Sequence, residues 1–211
     1  MNDNLAARLR LMLVTDEVLL LGRDLLTACT AAVQGGVTCV QLRLKRASPR
    51  ELIDAARTLI GSLPVPVIIN DRLDVALAAG AAGVHLGPDD LPVALARAIV
   101  PAGFWIGASV GNPGEALLAR AADYWGIGPW RTTTTKPDAG TPLGSAGFRV
   151  LCALGPGIPS VAIGGIRPED VPAVLKAGGA GVAVVSGILG AADIRLAASG
   201  YRTPVTGLRS P

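Results

Sequence analysis

Hydrophobic and polar positions repeat along this chain at two periods. Brief β-branched runs recur, and each is followed by a longer Ala/Leu-rich segment of helical spacing. The runs predict strands at Met12–Thr15, Thr38–Leu42, Val67–Asn70, Gly83–Leu86, Trp105–Ser109, Tyr124–Ile127, Ser160–Ile163 and Gly181–Val185. The segments between them predict helices at Arg23–Gln34, Pro49–Ile60, Leu73–Ala79, Leu91–Val100, Glu115–Ala121, Ala146–Leu154 and Pro168–Ala177. The second helix carries a full start signal, with Ser48 as N-cap, Pro49 in the first turn and Glu51 completing a capping box. Pro168-Glu169-Asp170 is a second helix start.

A weak repeat supports this succession. Gly35-Gly36-Val37-Thr38-Cys39-Val40, Gly80-Ala81-Ala82-Gly83-Val84-His85 and Gly178-Gly179-Ala180-Gly181-Val182-Ala183 each end a helix in glycine and enter a buried strand at once. Eight such units in 211 residues predict an α/β fold of one domain, a (β/α)8 TIM barrel over residues 1–211. An open α/β sheet is the alternative, but no glycine fingerprint follows the first strand. Past Ala191, the breakers Ser199-Gly200, Pro204, Gly207 and Pro211 predict a weak eighth helix and an irregular tail over 199–211.

Composition narrows the function. Half the residues are apolar and 17% are charged, which excludes a disordered chain. Aromatics make up only 3%, so the core is aliphatic and base stacking on aromatic platforms is not expected. A net charge of +3 suits anionic ligands, and no basic run marks a nucleic-acid patch. Cys29, Cys39 and Cys152 are too scattered for a disulfide framework or zinc site and read as core packing. The N-terminus lacks the basic start of a signal peptide, and no run is long enough to span a membrane. The expected partners are therefore small molecules, with no nucleic acid and no membrane, in a cytoplasmic protein; a homo-oligomer is compatible with all of this.

In a parallel barrel the chemistry gathers where strands end and βα loops begin. After the second strand, Gln41, Arg43 and Lys45 alternate onto one side, and the two cations suit a phosphate or pyrophosphate; the bland reading is a solvated loop. Asp71 and Asp90 follow the third and fourth strands, where neighbouring loops could share one hard cation. Each could instead cap the helix that follows it. His85, the single histidine, reads as packing in the barrel interior more readily than as catalytic. After the sixth strand, Trp130-Arg131-Thr132-Thr133-Thr134-Thr135-Lys136-Pro137 opens a long loop of phosphate-type ligands, unless the threonines are mere low complexity. Gly164-Gly165 after the seventh strand and Val185-Ser186 at the eighth occupy the positions where barrels commonly bind phosphate through their backbone.

Together these segments resemble the thiamine-phosphate synthase family. The matching stretches are Val40-Gln41-Leu42-Arg43-x-Lys45, Ile69-Asn70-Asp71-Arg72, Gly83-Val84-His85-Leu86-Gly87-x-x-Asp90 and Ile106-Gly107-x-Ser109. Further along come Asp123-Tyr124-x-Gly126-x-Gly128-Pro129, Thr133-x-Thr135-Lys136, Ala162-Ile163-Gly164-Gly165-Ile166 and Gly181-Val182-Ala183-Val184-Val185-Ser186. The resemblance implies a transferase that joins a hydroxymethylpyrimidine diphosphate to a hydroxyethylthiazole phosphate with Mg²⁺, releasing pyrophosphate. It implies that Gln41, Arg43, Lys45, Asn70, Ser109 and Lys136 bind the pyrimidine diphosphate, with Arg43, Lys45, Ser109 and Lys136 serving catalysis. It implies that Asp71 and Asp90 hold Mg²⁺, and that Thr133, Thr135, Gly165, Val185 and Ser186 bind the thiazole phosphate.

The chain departs from the family at Leu44, Pro88, Trp130-Arg131-Thr132, and at Gly187, where alanine is commoner. Two rival functions share the barrel: a thiazole tautomerase of a sister family, and a non-catalytic protein that binds thiamine precursors. The retained aspartates, cations and Thr133-x-Thr135-Lys136 favour the synthase.

Overall fold

The computed structural model describes residues 3–20, 22–133 and 140–202. Its parallel strands form one closed sheet in sequence order: β1 (Leu11–Val14), β2 (Cys39–Leu42), β3 (Val67–Asn70), β4 (Gly83–Leu86), β5 (Trp105–Val110), β6 (Tyr124–Ile127), β7 (Ser160–Ile163) and β8 (Gly181–Val184). The seam is sealed by β1 against β8, with Leu11 opposite Val182 and Leu13 opposite Val184. The (β/α)8 barrel expected from the pattern is present, and each strand lies within one residue of its predicted limits.

The helices are α1 (Asp3–Arg8), α2 (Leu25–Gln34), α3 (Pro49–Ser62), α4 (Leu73–Ala79), α5 (Val93–Ile99), α6 (Pro113–Leu118), α7 (Gly144–Leu154), α8 (Val171–Lys176), α9 (Ser186–Leu189) and α10 (Ile194–Gly200). The capping box of α3 forms as predicted: the Ser48 N–H donates to Glu51 Oε2 at 2.8 Å and the Glu51 N–H to Ser48 Oγ at 3.4 Å. Leu52, Ala56 and Leu59 recur at helical spacing on the buried face of α3. Burying a leucine there contributes about 1.5–3 kcal/mol.

Two differences from the sequence reading have local causes. The segment from Pro168 begins as a 3₁₀ turn (Pro168–Asp170) before α8. Pro172 has no N–H to give to the Pro168 carbonyl, which accepts from Val171 instead and tightens the turn. Secondly, α10 runs through Ser199 and Gly200, which had been assigned to an irregular tail. Asp193 caps it by accepting from the Leu196 N–H at 2.9 Å, and Ile194 and Ala198 are buried. Closure of the barrel therefore does not depend on a long final helix. Residues 203–211, the rest of that expected tail, lie outside the described residues.

Strand alternation sorts the core into two layers. Outward residues such as Val40, Ile69 and Trp125 pack under the helices. Inward residues Met12, Cys39, Ile68, Tyr124, Val161 and Ala183 fill the barrel, and Leu5 and Leu9 from the α1 end complete that cluster. The inward position nearest the carboxyl end of each strand is left to line the mouth. Cys29 and Cys39 are buried and Cys152 is half-buried, all three as free thiols, and burial pushes the Cys29 thiol up to about 12.

Candidate active site

The mouth of the barrel holds a cavity of about 130 Å³. Its lining includes Gln41, Arg43, Asn70 and Ser109 from the ends of β2, β3 and β5, Thr133 from the β6 loop, and Gly164, Gly165, Val185 and Ser186 from beyond β7 and β8. Lys45, Asp71 and Asp90 line a neighbouring cavity, and Asn70 borders both. Every described residue picked out by sequence as a site candidate thus lies in one of two adjoining hollows. Thr135 and Lys136 lie outside the described residues.

Arg43 and Lys45, in the loop after β2, each have an acidic partner from a neighbouring loop. Arg43 Nη1 donates to Asp16 Oδ2 at 2.9 Å, and both side chains are largely buried. Lys45 pairs with Asp71, and its backbone N–H donates to Glu17 Oε2 at 3.0 Å. Arg43 and Lys45 therefore face separate hollows. Asp16 was overlooked in the sequence because it reads as a break in an apolar stretch; its signal was being the first carboxylate after β1.

Asp71 and Asp90 come together beyond the ends of β3 and β4, lining one cavity and close enough for each carboxylate to shift the other's pKa. Neither caps a helix: the N-cap residues of α4 and α5 are Arg72 and Pro92, both without a side-chain cap bond. Asp71 has φ +63°, the only non-glycine residue of positive φ among those described. Such a conformation costs free energy and collects at functional sites. Burial raises the pKa of the Asp90 carboxyl and the Asp71 charge adds to this, against the Gly87 N–H that donates to it at 2.7 Å. Burial also works against Asp71, but the Lys45 ammonium and the hydrogen bond from Asp90 outweigh it and hold Asp71 below the usual carboxylate range.

The barrel interior contributes two residues that the sequence reading did not assign to the site. His85 is buried, with Nδ1 2.9 Å from the Tyr124 hydroxyl and Nε2 3.1 Å from Ser109 Oγ. Packing was the expectation for His85, yet it also lines the cavity and fixes Ser109 from beneath. The space comes from missing side chains: a Cβ at Gly107 would lie 2.1 Å from the Tyr124 ring, and one at Gly126 would lie 2.9 Å from His85 Cε1.

The opposite wall is made of backbone. Gly165 has φ +65°, and a Cβ there would lie 2.9 Å from both Arg131 Cβ and the Thr132 carbonyl oxygen. The β6 loop thus lies directly against the β7 loop. Arg131 and Asp170 lock that contact through a two-pronged ion pair, with Nε 3.0 Å from Oδ2, and the Asp170 side chain is only 6% exposed. Trp130 packs edge-on against Phe148 at 5.7 Å. The unusual Trp130-Arg131 pair is therefore the anchor of the β6 loop.

Among the described residues no three His, Cys, Asp or Glu side chains are grouped for a metal, and no helix is long and apolar enough to cross a membrane.

Comparison with known proteins shows what the chain is similar to. Residues 11–188 match the family model described as thiamine monophosphate synthase. The thiamine-phosphate synthase of Chloroflexus aurantiacus is 46% identical over 202 residues, covering 93% of each chain. That of Azorhizobium caulinodans is 48% identical over 200 residues, covering 92% of this chain and 94% of the relative. The solved thiamine phosphate pyrophosphorylase of Pyrococcus furiosus superposes with a TM-score of 0.84 at 38% identity, covering 94% of this chain and 96% of that one. A 3-hexulose-6-phosphate synthase aligns at 18% identity with a TM-score of 0.61, a likeness of fold alone.

Proposed function

This chain belongs to the thiamine monophosphate synthase family, and from that premise we propose that it joins 4-amino-2-methyl-5-(diphosphooxymethyl)pyrimidine to 4-methyl-5-(2-phosphooxyethyl)thiazole. The products are thiamine phosphate and pyrophosphate. The observation that carries this reading is the mouth itself, where Arg43 shares a cavity with a backbone cradle at Gly164-Gly165 and Val185-Ser186, and Lys45, Asp71 and Asp90 line the adjoining hollow.

In this reading Gln41, Arg43, Lys45, Asn70, Ser109 and Lys136 take the pyrimidine diphosphate, and Thr133, Thr135, Gly165, Val185 and Ser186 take the thiazole phosphate. The carbon–oxygen bond at the pyrimidine methylene breaks, and its electron pair leaves on the diphosphate. The thiazole nitrogen then donates its lone pair to the methylene carbon. No proton has to move, so the site's task is to place two reactants and stabilise a departing anion. Asp16 holds Arg43 and His85 holds Ser109, so both donors are fixed before substrate arrives. Ile163, Val14 and Val184 line the cavity between them and keep water from the methylene carbon.

The donor set fits Mg²⁺, which takes one or two protein carboxylates and completes its shell with water and phosphate oxygens. Asp71 and Asp90 would hold it, and their crowding is the kind a divalent cation relieves. When bound it supplies positive charge to the leaving diphosphate. Three free thiols agree with a reducing cytoplasm. The test is to incubate the purified protein with both precursors, with Mg²⁺ and with chelator. Thiamine phosphate and pyrophosphate should appear in equal amounts only with the metal; no thiamine phosphate under any condition would overturn the reading.

A further inference from the structure

The backbone cradle is braced by a side chain from the far end of the chain. Tyr201 closes the last turn of α10 and is 4% exposed. Its hydroxyl donates to the Ile166 carbonyl at 3.1 Å. The same hydroxyl oxygen fills the space beside Gly187, where a Cβ would lie only 2.1 Å from it. Ile166 follows Gly164-Gly165 in the β7 loop, Gly187 follows Val185-Ser186 in the first turn of α9 beyond β8, and all of these residues line the cavity. One hydroxyl therefore touches both halves of the cradle, and the glycine at 187 is what admits it.

We infer that Tyr201 is a positioning residue for phosphate binding, fixing the β7 and β8 loops so that their backbone meets the thiazole phosphate in a ready-made geometry. The inference rests on the thiazole placement proposed above. Gly164 and Gly165 both have positive φ, at +91° and +65°, and glycine segments lose the most conformational freedom when a ligand orders them. A hydrogen bond that orders the loop beforehand removes that cost from binding. Burial, reinforced by Glu169 and Asp170, raises the Tyr201 pKa, so the hydroxyl remains a donor at neutral pH.

Tyr201→Phe removes the oxygen and keeps the ring. The KM for the thiazole phosphate should rise roughly fivefold to tenfold, the range of one lost hydrogen bond. The KM for the pyrimidine diphosphate and kcat should stay within about twofold. Gly187→Ala should raise the thiazole KM more than the phenylalanine variant does, because its methyl meets the hydroxyl. In a Tyr201→Phe background the same alanine should cost less, since the 2.1 Å clash with the oxygen is gone and what remains is a tight fit to Val184 Cγ1 at 3.1 Å and ring Cζ at 3.2 Å.

An unchanged thiazole KM in Tyr201→Phe overturns the inference, as does a parallel rise of both KM values with a lowered Tm, the mark of a merely structural tyrosine. An alanine penalty equal in both backgrounds does the same. If Gly187→Ala does not fold, Tyr201→Phe decides alone. A wild-type protein without turnover would refute the proposed function instead. Calorimetric binding of inorganic phosphate, weaker in Tyr201→Phe than in wild type, would then still test the brace.

Discussion

The two walls of the mouth are built on opposite plans. The wall after β2, β3 and β4 is a set of charged side chains, each held by a partner from the next loop: Arg43 by Asp16, Lys45 by Asp71, and Asp71 beside Asp90. The wall after β7 and β8 has almost no charge in contact with the cavity and offers glycine backbone braced from behind by Arg131-Asp170 and Tyr201. Side-chain charge is suited to stabilising an anion that grows during the reaction, because charge aimed at the leaving group binds the transition state more tightly than the ground state. Rigid backbone is suited to a phosphate whose charge does not change. The first wall should therefore govern kcat and the second KM.

The largest break is expected on the charged wall. Asp71→Asn should lower kcat about a hundredfold, the ~3 kcal/mol typical of one lost electrostatic contact at the reacting atoms. Circular dichroism and Tm should show an intact fold. Near-normal Mg²⁺-dependent turnover would remove Asp71 from the metal site. Lys136→Ala, on the same reasoning, should lower kcat by a similar factor with a smaller change in the pyrimidine KM. A raised KM at unchanged kcat would make Lys136 a binding residue only.

Gly165→Val probes the other wall. The valine meets Arg131 and the Thr132 carbonyl at a positive φ. The thiazole KM should rise at least tenfold while the pyrimidine KM moves little, and equal effects on both would mean the two walls share one ligand. Asp16→Asn is a milder cut. Arg43 keeps a hydrogen-bonding neighbour but loses the charge that aims it, so kcat should fall about fivefold and the thiazole KM should hold, as steady-state kinetics would show.

The smallest effect belongs to the brace behind the glycine wall. Burial works against the Asp170 carboxylate, but Arg131, the Arg167 N–H and Trp130 hold its pKa below the unfolded value of 3.8. Its contribution to stability is therefore full above that value and is lost as the pH falls through the lower, folded one. Asp170→Asn should lower Tm by a few degrees at pH 7, with the gap to wild type closing below about pH 4. A gap that stays constant down to pH 3 would mean that the ion pair contributes nothing.

The sequence carried different amounts of information about the two walls. Arg43, Lys45, Asp71 and Asp90 were visible because charge after an apolar strand is conspicuous in a single line of text. Gly164-Gly165 were visible as a pair, but nothing in them told which loop would lie against them. His85 reads as packing because its partners, Tyr124 and Ser109, sit on different strands. Tyr201 had no signal at all, since it lies within the expected tail and its partner Ile166 lies 35 residues earlier.

By itself the sequence determined the succession of strands and helices, the closed parallel barrel and the residue types at each strand end. Those are read from periods of two and of 3.6 and from caps such as Ser48-Glu51, interactions within a few residues that the local chain dictates. The tertiary structure decided who meets whom. Adjacent parallel strands are separated by a whole helix and its loops, so Arg43 and Asp16, 27 positions apart, become neighbours only through the register of β1 on β2. The seating of the β6 loop on Gly165 and of Tyr201 against Gly187 depends on the space left by side chains that are not there, and that space exists only once the barrel has closed.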